Sequence, residues 1–330
     1  MELHQVFINP AGRLRSGWRV LTFVLAYIAS LFLVNTAARV VYALAINIPN
    51  GVVPGPYVTD VIFRLTLLSS ALLAGYFCLR LLEDLPWRAL GLSFHPGWFR
   101  DFLIGSLIGV AAVALATGIA KAGGGLQFTA SDRGILIQVG QTLFFSAGVF
   151  IVAALAEEAL FRGYPLQTLT RAQLAWLGVA LTSVPFAAIH LKNPNVVQGF
   201  TFINTVLAGV WLAIAYLRTR SLWFPLGLHW AWNWALGFLF GLPVSGITAI
   251  TPHPLLRGVD LGPSWLTGGD YGIEGGVAGT VTLICVTIFT WRTRLVSASE
   301  EMKLLTSHEN PVREKGVVSI LPQSDGNAST

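Results

Sequence analysis

Long apolar segments alternate with short polar or glycine- and proline-containing stretches along most of the chain. A helix that crosses the hydrocarbon core of a bilayer needs about 20 mostly apolar residues, and eight segments meet or approach that length. The pattern therefore predicts an all-α, polytopic membrane protein with about eight transmembrane helices. The predicted spans are 20–43, 59–80, 102–120, 135–161, 173–190, 200–217, 222–241 and 273–291, and the fourth is expected to continue as a helix to about Leu169.

The distribution of lysine and arginine between the spans predicts the orientation. With the N-terminus in the cytoplasm, fourteen of these residues fall on the inner side and four on the outer side, with three inside spans. Cytoplasmic loops carry such an excess, so both termini are expected to be cytoplasmic. The predicted organisation is a cytoplasmic N-terminal segment (1–19), a membrane domain (20–291) and a polar, disordered cytoplasmic tail (292–330).

Composition excludes a soluble domain and narrows the partners. Of 330 residues, 54% are hydrophobic and 11% are charged, whereas soluble domains carry about 25% charged residues. In such a chain the net charge of +5 points to topology and to anionic membrane lipids rather than to nucleic acid. Cys78 and Cys285 lie in separate apolar segments, which predicts neither a disulfide framework nor a CxxC metal site.

Two adjacent glutamates at the end of the fourth apolar segment are the most unusual feature. Glu157 and Glu158 precede Arg162, and ionisable groups at membrane depth suggest a functional site because they are costly there. Glu158 and Arg162 are four residues apart and can pair on one helix face. Glu157 is then the freer carboxylate, suited to act as a general base. The alternative is an ion pair at a helix end near the headgroups.

Two further spans carry polar groups that suit hydrolysis. His190 ends the fifth span, and His229 and Asn233 share one face of the seventh because they are four residues apart. An imidazole and an amide on one face can position water or donate to a developing oxyanion. Each also has a structural alternative: an anchor at the membrane interface for His190, and a hydrogen-bonded helix pair for His229 and Asn233.

These residues form three motifs whose order and spacing resemble a known family. EExxxR comprises Glu157, Glu158 and Arg162, FxxxH comprises Phe186 and His190, and HxxxN comprises His229 and Asn233. The chain is similar in these motifs to the CPBP family, the type II CAAX prenyl endopeptidases and bacteriocin-processing enzymes, over about 135–240. The segment 15–19 also resembles bacterial members, so a bacterial cell membrane is the expected location.

The resemblance implies an intramembrane endopeptidase with a lipidated, peptide-precursor or membrane-associated substrate. It implies that Glu157 activates water, that His190 orients or deprotonates it, and that His229 and Asn233 stabilise the oxyanion. Glu158 and Arg162 would support the site. No cofactor is favoured, but a carboxylate and two histidines are also a catalytic zinc set, so zinc on Glu157, His190 and His229 stays open.

Helix rise raises a question about how these side chains meet. At about 1.5 Å per residue, Glu157 and His190 lie roughly 18 and 25 Å from the turn between the fourth and fifth spans, but His229 lies only about 10 Å past the start of its span. The turn is therefore expected to project into the cytoplasm, unless the helices tilt. Two other functions stay open: a non-catalytic scaffold or immunity protein, and an ion- or proton-coupled transporter.

Overall fold

All eight predicted apolar segments are helical in the computed structural model, which describes residues 3–46, 55–131 and 133–307. A short antiparallel pair of strands, β1 (Leu126–Ala130) and β2 (Leu256–Asp260), is the sheet within these ranges. The α-helices are α1 (Leu3–Phe7), α2 (Ser16–Ile46), α3 (Pro56–Cys78), α4 (Trp98–Ala122), α5 (Leu136–Glu158), α6 (Gln167–Arg171), α7 (Ala175–His190), α8 (Phe200–Thr219), α9 (Trp223–Trp234), α10 (Ser264–Thr267), α11 (Val277–Arg292) and α12 (Glu300–Thr306).

Five helical stretches are long and apolar enough to cross a membrane, by length and composition. Two of the other predicted spans are shorter apolar helices, α7 and α11, and the seventh is α9 followed by a π-helical turn. The prediction of an all-α, polytopic membrane protein is confirmed. The five long stretches are Ser16–Leu44, Val58–Glu83, Trp98–Ala122, Leu136–Arg171 and Phe200–Thr219.

The fourth predicted helix continues past the membrane-length segment, as expected. A π-helical turn, Ala159–Leu166, joins α5 to α6 and contains Pro165. Proline has no N–H to donate, so it is tolerated where regular α-helical hydrogen bonding is already interrupted. The resulting helix carries the glutamate pair at the junction between its α-helical and π-helical parts.

Helix α9 is held against α4 by backbone-to-backbone contact at glycines. A Cβ atom on Gly227 would lie 2.2 Å from the Phe102 carbonyl oxygen, and one on Gly105 would lie 2.4 Å from the Phe224 carbonyl oxygen. Such close approach between membrane helices requires small residues. Because one side of α9 is occupied in this way by α4, its position relative to the other helices is closely defined.

The start of α9 lies inside the protein. Ser221 and Leu222 are fully buried, and the Leu222 N–H donates to the Gly91 carbonyl at 2.9 Å. The segment around Gly91 therefore covers the turn before α9. His229 is close to the first residue of its helix and yet lies deep in the structure.

The loop after α9 is connected to two other parts of the structure. Strand β2 pairs with β1 across more than 120 residues of sequence, with Leu126 opposite Asp260. The Asn193 side chain, just after α7, donates to the Ser245 carbonyl at 3.2 Å. The loop is thereby fastened to the end of the helix that carries His190.

Part of the predicted disordered tail, 292–330, is folded, so that prediction is wrong for 300–306. These residues form α12, with Met302 and Thr306 fully buried. The Ser299 hydroxyl accepts a hydrogen bond from the Met302 N–H at 3.3 Å and so caps the helix. Burial of the apolar face and the cap explain why a polar sequence orders here. Residues 308–330 lie outside the described residues.

Candidate active site

Glu158 is the buried member of the glutamate pair. Its Oε1 accepts hydrogen bonds from Arg162 Nη1 at 3.1 Å and from His229 Nδ1 at 2.8 Å. Both Glu158 and Arg162 have fully buried side chains. A charge can be buried stably when it is paired and hydrogen-bonded, and this carboxylate meets that condition within its own helix and across to α9.

Arg162 connects the glutamate pair to two neighbouring helices. Its Nη2 donates to the Gly209 carbonyl of α8 at 3.2 Å, and its guanidinium lies 4.6 Å from the centre of the Phe186 ring of α7. The Gly209 position allows α8 to approach α7, because a Cβ atom there would lie 2.8 Å from the Ser183 Cβ. The arginine therefore fixes the position of the π-helical turn between α7 and α8.

Glu157 is the freer carboxylate, and it faces both histidines. Its Oε2 lies 3.6 Å from His229 Nε2 and 4.0 Å from His190 Nε2, and its side chain is 27% exposed. These separations exceed the length of a direct hydrogen bond, and polar groups at such distances are commonly bridged by water. The predicted division between a paired Glu158 and a freer Glu157 is what the geometry shows.

Both imidazole rings are oriented by a bond at Nδ1. His190 Nδ1 lies 2.7 Å from the Phe186 carbonyl oxygen, which can only accept, so Nδ1 carries the proton. His229 Nδ1 is bonded in the same way to the Glu158 carboxylate. Each ring therefore presents Nε2 toward Glu157. The phenylalanine of FxxxH also packs on this site, since the Phe186 and His190 rings lie 4.6 Å apart.

A cavity of about 480 Å³ brings the four predicted catalytic residues together. Glu157, His190, His229 and Asn233 all line it. Asn233 lies one turn after His229 and is partly buried, and no described residue hydrogen-bonds to its side chain. An amide that is left available beside a carboxylate and two imidazoles can serve an incoming group rather than the helix packing.

Sequence reasoning missed three other charged groups on the cavity wall. Asp60 and Arg64 of α3 form an ion pair, Nε to Oδ2, at 2.7 Å. Their position on one helix face with Phe63 was the available signal. Glu274 accepts from Trp232 Nε1 at 2.8 Å and from the Ser245 N–H at 2.6 Å, and nothing in its local sequence indicated this contact.

The donor atoms around Glu157 resemble zinc ligands in kind. Two Nε2 atoms and a carboxylate face one another, and metal-bound histidines usually hold Nδ1–H in a second hydrogen bond. In the ranges that the structure describes, however, no group of three or more His, Cys, Asp or Glu side chains has the arrangement to hold a metal ion. The residues therefore fit zinc by type but not by their spacing here.

Comparison with known proteins agrees with the predicted resemblance. Residues 138–235 match the family model described as type II CAAX prenyl endopeptidase Rce1-like. The matched segment contains all six predicted site residues, and the match confirms the recognition of the CPBP family in the motifs. The chain has no match among curated proteins and none among solved structures.

Proposed function

We propose, from the premise that residues 138–235 match the type II CAAX prenyl endopeptidase family, that this membrane protein is an intramembrane endopeptidase. The observation that carries the proposal is the placement of the Glu157 carboxylate 3.6 and 4.0 Å from two histidine Nε2 atoms in a cavity of about 480 Å³. A base, two imidazoles and the Asn233 amide around one space suit the hydrolysis of a peptide bond.

In the proposed mechanism Glu157 takes a proton from a water held between it and His190. The water oxygen attacks the peptide carbonyl carbon, and a tetrahedral oxyanion forms. The C–N bond then breaks, and the proton held by Glu157 passes to the leaving amine. Asn233 and His229 stabilise the oxyanion, as preorganised donors do in other hydrolases.

The hydrogen bond from His229 to Glu158 adds a condition to this role. Because Nδ1 already donates to Glu158, Nε2 donates to an oxyanion only when the ring carries both protons. Such an imidazolium would have Glu158 as its counter-ion, because Glu157 then holds the proton taken from water. Glu158 and Arg162 therefore support the reaction by holding the His229 ring, not by touching the substrate.

Zinc is the alternative for activating the water. Glu157, His190 and His229 would hold the ion, and zinc supplies a water of lowered pKa and a polarised carbonyl. The glutamate mechanism is favoured because the three side chains lack the arrangement of a metal site in the described structure. The substrate is proposed to be a lipidated protein, a peptide precursor or a membrane-associated protein, with both protein termini in the cytoplasm and a bacterial membrane as the setting.

The decisive assay uses the purified full chain in vesicles with a set of quenched-fluorescent lipidated and transmembrane peptides. Cleavage by wild type and its loss in Glu157→Gln would support the glutamate base. Equal cleavage by Glu157→Gln would refute it. Activity that survives exhaustive chelation would exclude the zinc mechanism. Loss of activity on chelation that Zn²⁺ restores would favour it. Absence of cleavage with every peptide would favour a non-catalytic scaffold.

A further inference from the structure

Glu274 is a carboxylate whose two oxygens contact two different parts of the molecule. It lies between strand β2 and helix α11 and lines the cavity of the proposed active site. Its Oε1 accepts from Trp232 Nε1 of α9 at 2.8 Å. Its Oε2 accepts from the Ser245 N–H at 2.6 Å and from the Ser245 hydroxyl at 3.0 Å. Because hydrogen bonds to a carboxylate are strong and directional, Glu274 connects the loop after α9 firmly to α9 itself.

Trp232 brings this contact next to the proposed oxyanion donors. It directly precedes Asn233 and follows His229 by three residues, and its side chain is buried and packs edge-on against Trp211 of α8. The regular part of α9 ends at Trp234, where the backbone continues into a π-helical turn. Since the Asn233 amide has no hydrogen bond from a described residue, the backbone of this last turn sets its position. The indole bond to the loop fixes that turn.

Ser245 extends the connection to the helix that carries His190. Its carbonyl accepts from the Asn193 side chain at 3.2 Å, and the Asn193 N–H donates to the His190 carbonyl at 3.0 Å. Ser245 has a φ of 48°, a left-handed conformation that residues other than glycine keep where surrounding contacts hold it. Glu274 supplies two of those contacts. The loop brace therefore joins the ends of α7 and α9, and it consists of Asn193, Trp232, Ser245 and Glu274.

We propose that Glu274 is a positioning residue for the hydrolysis, and that through Trp232 it holds Asn233 where the oxyanion forms. This inference rests on the proposed function, because it gives the loop a part in the same reaction. Glu274 does not touch the substrate in this role, since both of its oxygens are bonded within the loop brace. Misplacing a catalytic group by about 1 Å can lower a rate by about 10²-fold, so a bond beside Asn233 affects the chemistry.

Glu274→Gln tests the role of the carboxylate with little change in side-chain size. The amide NH₂ cannot accept a hydrogen bond, so either Trp232 or Ser245 loses its acceptor. We expect kcat for a fluorogenic peptide to fall about 10-fold while KM stays within about twofold, because an oxyanion donor acts in the transition state. Steady-state kinetics, expressed per folded molecule, measure both constants.

Asp260→Asn is the matched control for this substitution. Asp260 is a carboxylate of β2 that accepts from the Gly262 N–H at 3.1 Å and from the Thr267 hydroxyl at 2.8 Å. The chemical change is therefore the same, but both of these partners belong to the loop and not to α9. Its kcat should stay within about twofold of wild type. A fall in kcat that is equal in the two variants, or absent from Glu274→Gln, would overturn the proposal.

A double-mutant cycle shows whether Glu274 acts through Asn233. In Asn233→Ala the group to be positioned is absent, so the addition of Glu274→Gln should lower kcat by less than about twofold. Trp232→Phe removes the indole N–H from the same bond, and it should reproduce the loss of kcat seen in Glu274→Gln. A loss in the double variant equal to the product of the two single losses, or an unchanged kcat in Trp232→Phe, would contradict the positioning role.

Amide hydrogen exchange separates this proposal from that of the endopeptidase, because it requires no turnover. Exchange in the segment 229–235 is followed by mass spectrometry in wild type, Glu274→Gln and Asp260→Asn. The segment should exchange at least about threefold faster in Glu274→Gln, where the last turn of α9 opens more readily, and at the wild-type rate in Asp260→Asn. This result supports the loop brace even if wild type cleaves no peptide. Unchanged exchange in Glu274→Gln overturns it even if hydrolysis is observed.

Discussion

Two buried clusters of carboxylate and arginine lie along the same long helix, and they differ in what surrounds the carboxylate. The tether cluster, Arg19, Glu83, Thr168 and Arg171, uses both Glu83 oxygens: Thr168 donates to Oε1, and Arg19 and Arg171 contact Oε2. The site cluster, Glu158, Arg162 and His229, is equally buried. In the site cluster the adjacent carboxylate, Glu157, lines the cavity.

This difference separates a buried structural charge from a reactive one. Burial alone does not distinguish the clusters, because both glutamates are almost inaccessible. The tether cluster connects α2, the turn after α3 and α6, and both Glu83 oxygens are occupied by these partners. In the site cluster the paired Glu158 holds a histidine, while the adjacent carboxylate stays available for chemistry.

Removing Arg162 should have the largest effect, because it leaves the buried Glu158 carboxylate without its cation. Breaking a buried pair from one side costs about 3–5 kcal/mol, so Arg162→Leu should lower the free energy of unfolding by about that amount. It should also reduce peptide cleavage, measured per folded molecule. Thermal unfolding in detergent and the cleavage assay measure the two effects.

The double variant, Arg162→Leu with Glu158→Gln, is the control for that prediction. It removes both charges, so it should recover part of the lost stability. It should not recover cleavage, because His229 would lack its carboxylate partner. An unfolding midpoint in Arg162→Leu equal to that of wild type would mean that the pair contributes little.

Glu83→Gln should affect stability without affecting the chemistry. It removes the carboxylate that Arg19 and Arg171 share, which we expect to cost about 3 kcal/mol. The kcat per folded molecule should stay within about twofold of wild type. Glu301→Gln, which breaks a more exposed pair with Arg88, should cost about 1 kcal/mol or less. A large loss of kcat in Glu83→Gln would contradict the distinction between the clusters.

Two asparagines on the same cavity wall provide the smallest test. Removal of one oxyanion donor typically lowers kcat by about 10²-fold, so Asn233→Ala should do so with little change in KM or stability. Asn204 instead donates to the Glu274 and Gly276 carbonyls, so Asn204→Ala should reduce stability by about 1 kcal/mol. Steady-state kinetics and thermal unfolding of both variants measure these effects. A loss of kcat in Asn204→Ala together with a loss of stability in Asn233→Ala would reverse the two assignments.

Much of the fold follows from hydrophobic patterning, but the parts that depend on distant contacts do not. All eight apolar segments become helices because a hydrophobic run is a local property. Strands β1 and β2 are five residues each and find each other across more than 120 positions, which no local pattern records. Helix α12 forms because Ser299 caps it and Met302 is buried. Neither feature was recognised in a tail rich in polar residues.

The candidate site shows the same division between local and distant information. The pairing of Glu158 with Arg162 follows from four-residue spacing, and the convergence of the three motifs follows from the family resemblance. The bond between His229 Nδ1 and Glu158 could not be predicted from the sequence. It depends on the position of the start of α9, which the contact between Leu222 and Gly91 defines. Arg64 was missed because its four-residue spacing from Asp60 indicates only a local ion pair, and its place on the cavity wall depends on how α3 packs against other helices.

The most direct test of the account compares Glu157→Gln with Glu158→Gln, two identical substitutions at adjacent positions. Glu157→Gln is expected to lower kcat about a thousandfold at unchanged thermal stability. Glu158→Gln is expected to lower the unfolding midpoint and to reduce kcat less, because the lost group only holds His229 and Arg162. Cleavage that survives in Glu157→Gln but disappears in stably folded Glu158→Gln would contradict the assignment of Glu157 as the base.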